Sequence, residues 1–303
     1  MKHCVLSLGI VLLAAVVPAY SQQTALEKQS DFIDGKLDTS VMLACSGKIM
    51  IIDKDGNETF SYRENVGNVG DGMVLPNGNI LFADGDSVVE VTPDKKEVLH
   101  FVPSDKRGDS VFSAVRLENG NTLIGWNSQN KIIEINPQGE VVSSFDCQYM
   151  DRVFSHSNMR NIRLSRAGTV LVAHKAKGVI AEYSREGKLL KTYSGGEGAT
   201  AFGVCQLADG SIAGAFLDRV IVFDNDAKEI WQYNKSETTE IEITFMCPIV
   251  ERKNGNFVLG NYAANRGGTH ASLAFEITRN KQIVWQYRNV KGPGSVQGIT
   301  VLE

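Results

Sequence analysis

The chain has 303 residues, 43% of them hydrophobic and 22% charged, with a formal net charge of −4 at neutral pH. That is apolar material enough for a sizeable core, and length alone allows one or two domains. The acidic balance excludes nucleic acid as the main partner, because that role needs a basic face.

At the N-terminus, Lys2 and His3 precede an apolar run from Val5 to Val17, and Ala19-Tyr20-Ser21 resembles a small-residue cleavage site. This is the pattern of a secretory signal peptide over residues 1–21. The run is too short to span a bilayer comfortably, and no later stretch is long and apolar enough, so no membrane span is expected. Cys4 precedes the apolar run, so it is not a lipoprotein cysteine. The expected product is exported, periplasmic or extracellular. It has a polar leader over 22–40 and a single domain over 41–303. Export removes only Lys2 among the charged residues, so the acidic excess deepens by one.

From Val41 onward the chain reads as short β-branched or aromatic runs broken by Asn, Gly, Asp or Pro, with no sustained helical period. Val111 to Phe145 is the template: Ala114 to Leu117, a turn, Thr122 to Trp126, a loop, Ile132 to Ile135, a turn, then Val141 to Phe145. Four strands joined by hairpins make one antiparallel sheet. Its first turn recurs at Asn77-Gly78, Asn119-Gly120, Ala167-Gly168, Asp209-Gly210 and Asn254-Gly255, the glycines lying 42, 48, 42 and 45 residues apart. Such a period marks a propeller or a solenoid. The second turn recurs six times: Asp55-Gly56, Asp94-Lys95, Gln138-Gly139, Glu186-Gly187, Asp226-Ala227 and Arg279-Asn280. The chain ends account for the mismatch. Val41 to Tyr62 supplies three strands of a blade, and Val296 to Leu302 reads as a lone first strand. Joined, they complete a blade, so the expected fold is an all-β, six-bladed β-propeller of four-stranded antiparallel blades, closed by its N- and C-terminal strands. Closure also removes the exposed edges that an open array would leave. Each blade ends in an aromatic, Tyr62, Phe101, Phe145, Tyr193, Tyr233 or Tyr287, placed to pack blade on blade.

The phrase Asn119-Gly120-Asn121-Thr122-Leu123-Ile124-Gly125-Trp126, with Ile132 to Phe145 after it, resembles the repeat of the quinoprotein-like, or PQQ-like, β-propellers. The resemblance covers nearly the whole mature chain at the level of fold. Quinone-binding members carry a regular tryptophan docking motif. Here only Trp231 and Trp285 stand at the comparable outer-strand place, so no quinone or other cofactor is expected.

Standard catalytic strings are missing: no His-Glu-x-x-His, Cys-x-x-Cys, Walker loop or Gly-x-Ser-x-Gly occurs. Gly196 to Ala201 matches a dinucleotide pattern but precedes a strand-like run instead of a helix, so it reads as a loop between blades. Asp53-Lys54-Asp55-Gly56-Asn57 looks like a calcium loop, yet Glu58 stands where glycine is required, and the repeat makes it an ordinary hairpin turn. Cys45, Cys147, Cys205 and Cys247 allow three disulfide pairings; buried small hydrophobes are the preferred reading.

Both turns of a blade lie at one end of the ring. The opposite face carries the longer loops, and variable loops on a rigid scaffold are where function concentrates. The crossover loops there supply Asp71, Phe112, His156, Asn158, Arg160, Phe202, Phe245 and Gln297. Loops between strands two and three supply Asp84, Asp86, Trp126, His174, Lys175, Phe216, Asp218, Asn261, Tyr262, Arg266 and His270. From these, blades four and six form the expected ligand site: His156, Arg160 and His174 with Asn261, Tyr262, Arg266 and His270, floored by Phe202 and Phe216, and with Trp126 available to stack on a sugar ring. No metal site is expected, for want of a ligand spacing. A second set, Arg116, Gln206 and Glu251, shares one position on the first strands, and Arg163 joins it if its turn is one residue longer; hydrogen bonds to one another and to channel water are expected there. Three functions remain open. The first is binding of a small polar ligand, a glycan among the candidates. The second is a hydrolase, lyase or transferase with His156, His174 or His270 as acid or base and Arg160 stabilising negative charge. The third is a surface-layer-like scaffold that binds a protein partner.

Overall fold

The computed structural model describes residues 32–35, 37–63, 66–104, 111–149, 158–262, 272–288 and 294–303. Six antiparallel sheets stand around a common axis, and Asp31–Glu303 form one compact unit. From the axis outward, blade one is Val296–Leu302, Ser40–Cys45, Lys48–Ile52 and Glu58–Tyr62. Blade two is Asp71–Val74, Ile80–Ala83, Val88–Val91 and Glu97–Phe101. Blade three is Val111–Arg116, Thr122–Trp126, Lys131–Ile135 and Val141–Asp146. Blade four is Asn161–Leu164, Val170–His174, Val179–Tyr183 and Leu189–Ser194. Blade five is Ala201–Gln206, Ile212–Phe216, Arg219–Phe223 and Glu229–Asn234. Blade six is Phe245–Glu251, Phe257–Tyr262, Ala274–Ile277 and Ile283–Arg288.

The ring closes as expected: Ser40–Cys45 pairs antiparallel with Val296–Leu302, Val41 opposite Val301 and Leu43 opposite Ile299. One strand lies where only a leader was expected. Phe32–Gly35 adds to the outer edge of blade six, Ile33 opposite Tyr287 and Gly35 opposite Trp285. A four-residue polar-flanked run carries too little periodicity to announce itself; pairing with an available edge creates it.

All six second turns share one construction. The opening residue donates its amide to the carbonyl four places on and accepts from the amide three places on, as Asp53 does with Asn57 and Gly56. The residue at that third place is left-handed: Gly56, Lys95, Gly139, Gly187, Ala227 and Lys281, with φ between 61 and 86°. The last turn therefore centres on Asn280-Lys281, one residue beyond its sequence assignment. Each turn feeds a register shift between strands three and four, at Ile51/Ile52 in blade one and at the matching position in every other blade. The extra residue sharpens the local twist.

The core lies between blades. Outer aromatics meet residues of the next blade with ring centroids 5.5 to 6.1 Å apart: Tyr62–Phe82, Phe101–Trp126, Phe145–Tyr183, Tyr193–Phe223 and Trp231–Phe257. Trp285 and Tyr287 fill the seam between blades six and one with Val41, Leu43 and Ile52. A polar repeat runs beside this apolar one. Asn79, Asn121, Thr169 and Asn256, each just after a first-turn glycine, donate at 2.6 Å to Glu90, Glu134, Glu182 and Glu276 on strand three of the same blade. Arg116 and Arg185 then reach back to Glu90 and Glu134 from the following blade. Among the described residues Cys45, Cys147, Cys205 and Cys247 are free; burial pushes the thiols of Cys45, Cys205 and Cys247 up to about 12 and that of Cys147 higher still.

Candidate functional site

Arg160 is the hub of the crossover face. It immediately precedes the first strand of blade four, and its amide bonds to Ala173 at 3.1 Å, which extends the strand pairing by one residue. Its side chain is buried and donates from Nη2 to Gln297 Oε1 of blade one at 2.9 Å. The guanidinium lies 4.3 Å from the ring centre of Phe112 in blade three, 5.0 Å from Phe202 in blade five and 5.9 Å from Tyr262 in blade six. Four blades besides its own thus converge on one cation, and each ring face offers it quadrupolar attraction. Phe112 fits because Gly70 leaves space: a β-carbon there would stand 2.7 Å from the ring.

A row that is buried at Phe202 and half-buried beyond it leads outward from this hub. Lys175 Nζ sits 5.3 Å from the centre of Phe202. Tyr262 lies 5.5 Å from Phe202 and 6.2 Å from Phe245, and Lys235 Nζ is 5.7 Å from Phe245. Gln297 opens a polar path in the other direction, donating to Asn68 Oδ1 at 3.4 Å, which also accepts from Ser46.

Of the expected ligand residues, Arg160, Phe202 and Tyr262 come together. His156, Arg266 and His270 lie outside the described residues. The other four are committed elsewhere. Trp126 packs edge-on against Phe101 and donates from Nε1 to Ser128 Oγ at 2.9 Å. Phe216 is fully buried in the core shared by blades four and five. Asn261 is buried, accepts from the amides of Thr244 and Phe245 at 2.9 and 3.2 Å, and donates to the Glu242 carbonyl at 2.9 Å. It pins the crossover that carries Phe245. His174 is also buried, with Nε2 3.0 Å from the Tyr183 hydroxyl and the Tyr149 ring 5.5 Å away. Burial lowers its pKa to about 3, with the Asn158 backbone opposing, which favours the neutral imidazole near pH 7.

The axial set also differs from its sequence reading. Every first turn closes with the same bond, the glycine amide to the carbonyl three places back, Gly168 to Ser165 included. Leu164 therefore matches Arg116, Gln206 and Glu251, and Arg163 projects the other way. It forms a two-pronged ion pair with buried Asp71, Nη1 to Oδ2 at 2.6 Å and Nη2 to Oδ1 at 2.9 Å. Asp71 also accepts from Ser113 and Asn161, tying blades two, three and four around the axis. Burial disfavours the charged Arg163, and the pairing with Asp71 more than offsets that. The expected mutual bonding does not hold among Arg116, Gln206 and Glu251. Gln206 takes the Arg166 amide, and Glu251 takes the Ala208 amide.

The molecule is a closed six-bladed β-propeller with a cationic, aromatic hub on its crossover face. No known protein family profile matches the chain, and no curated protein matches its sequence. Among solved structures it is similar to a protein of unknown function from Bacteroides caccae, with 22% identity and a TM-score of 0.74 over 88% of this chain and 100% of that one. It is also similar to a streptogramin B lyase, with 14% identity and a TM-score of 0.62 over 88% of this chain and 90% of the lyase. A third is the extracellular domain of BT3049 from B. thetaiotaomicron, with 16% identity and a TM-score of 0.59 over 89% of this chain and 36% of that one. At these identities the likeness is one of fold, and fold does not carry function.

Proposed function

We propose that this chain is an exported propeller that binds a small anionic, polyhydroxylated ligand, of the acidic-sugar class, at the hub on its crossover face. The convergence of Phe112, Phe202 and Tyr262 on Arg160 carries this reading. Half-buried Tyr262 offers a ring to the apolar face of a sugar, and Lys175 offers an ammonium to its carboxylate. The Gln297–Asn68–Ser46 path supplies amide and hydroxyl groups for sugar hydroxyls. On a chain of net charge −4, a cationic cluster favours an acidic ligand over a neutral one. Export rests on the N-terminal pattern, and among the described residues no helix is long and apolar enough to cross a membrane.

Calorimetric titration of the mature protein with galacturonate and with galactose tests the reading. Galacturonate is expected to bind at least tenfold tighter than galactose. Lys175→Ala should weaken it about tenfold, the scale of one charge-assisted hydrogen bond, and Lys95→Ala on the turn face should leave it unchanged. Equal affinity for the two sugars, no binding of either, or equal effects of both variants would overturn it.

A further inference from the structure

We infer that the hub is one end of a longer track, and that the ligand is an acidic oligosaccharide whose second acidic unit is held by Phe245 and Lys235; this rests on the acidic-sugar reading of the hub. Phe245 stands among the crossover-face candidates read from sequence but not in the expected ligand set, and Lys235 stands in neither. The track is built from two adjacent blades. Phe245 opens the first strand of blade six, and Tyr262, its register partner, closes the second. The two rings are 6.2 Å apart and inclined by 31°, and Tyr262 is inclined by 34° to Phe202 at 5.5 Å. Phe202 and Phe245 each pack against Tyr262, and the row they form is buried at Phe202 and half-buried at Tyr262 and Phe245. A half-buried cation stands at each end, Lys175 5.3 Å from Phe202 and Lys235 5.7 Å from Phe245. Steps of that size are comparable to the spacing of linked pyranose rings. A row with charges at both ends therefore matches a chain of stacked sugar rings with a carboxylate near each end better than a single ring.

The outer end is built firmly enough to contribute. Asn261 fixes the backbone of Thr244 and Phe245, and Lys235 donates from Nζ to the Thr244 carbonyl at 3.1 Å. The amide of Lys235 bonds to the Asp218 carbonyl at 2.9 Å, so its backbone is anchored as well. The Asp218 carboxylate is clasped by Arg219 at 2.8 and 3.0 Å, with the Lys235 charge also acting on it. Both Lys235 and Phe245 are half-buried, leaving part of each open to a ligand. Engaging a second unit on one chain makes the second contact intramolecular, so affinity must climb with chain length.

The experiment is calorimetry of the full mature protein with galacturonic acid and with its linear trimer. The trimer is expected to bind more than tenfold tighter than the monomer. Lys235→Ala and Phe245→Leu should each bring the trimer to within about threefold of the monomer while leaving monomer affinity within twofold of the parent. Thermal melting verifies that each variant is folded, and the second variant decides if one is not. Equal affinity for monomer and trimer, or parallel losses for both ligands in the variants, overturns the track and leaves the hub standing. Binding of neither ligand removes the acidic-sugar reading and the track with it.

Discussion

At the scale of single residues, His174 carries a pH dependence that is clear among the described residues. Its ordinary pKa of 6.5 falls to about 3 in the folded protein because burial disfavours the imidazolium. Between those values the unfolded chain binds a proton that the folded chain does not. Its contribution is therefore fully present above pH 6.5 and declines as pH falls, by about 1.4 kcal/mol per unit. His174→Gln keeps a polar partner for Tyr183 and removes the titration. Urea unfolding at pH 7.5 and pH 5 should show the gap between parent and variant changing by about 2 kcal/mol in favour of the variant at the lower pH. A gap independent of pH would mean that the imidazole is not neutral inside. Asn261 teaches the same lesson for sequence reading: a polar residue on the correct loop binds its own backbone when that backbone is buried beside it.

At the scale of elements, the N-terminal strand depends on one glycine. Gly35 has φ of +83°, and a β-carbon there would lie 2.1 Å from the Val284 carbonyl oxygen. Gly35→Ala should release the strand from blade six. The Leu273 amide already bonds to the Tyr287 carbonyl, so Tyr287 faces inward and Gln286 and Arg288 face the added strand. In hydrogen exchange, the amides of Gln286 and Arg288 should lose protection in this variant while that of Tyr287 keeps it. Unchanged exchange at all three would show that the strand tolerates the side chain. The paired glutamates on strand three were legible in principle, since an Asn or Thr after the first-turn glycine recurs with Glu90, Glu134, Glu182 and Glu276 downstream. The intervals vary with the loop between strands two and three, which hides the pairing from a search at fixed spacing.

At the scale of the whole molecule, the seam between blades six and one is held by Arg252. It donates from Nε to Glu303 at 2.7 Å and from Nη1 to Glu276 at 3.0 Å, and it also binds Asp38, so one guanidinium ties both ends of the described chain to blade six. Burial disfavours its charge, and the bonds to Asp38, Glu303 and Glu276 more than offset that. Arg252→Met should destabilise the protein by about 3 kcal/mol, the cost of removing the countercharge from buried Glu276. Arg219→Met, which breaks a surface pair with Asp218, should cost about 1 kcal/mol or less. Denaturant unfolding of both variants checks this; equal costs would mean that the seam is closed by strand pairing and Trp285 packing alone.

Alternating strands, turn glycines and a period near 45 residues determined the blade count, the closing pair and the aromatic blade ends without any coordinates. These features are local: hairpins and period-two patterns are written within a few residues of one another. The face that carries the hub was also legible, because topology alone puts crossovers opposite the turns. Which side chains meet there was decided by tertiary structure. Phe112, Arg160, Phe202, Tyr262 and Gln297 lie in five different blades. His174 and Lys175 are neighbours in sequence yet part company, one to Tyr183 in the core and the other to Phe202 at the hub. Successive residues of a strand face opposite ways, and only the packed ring determines which way leads to the core and which to the site.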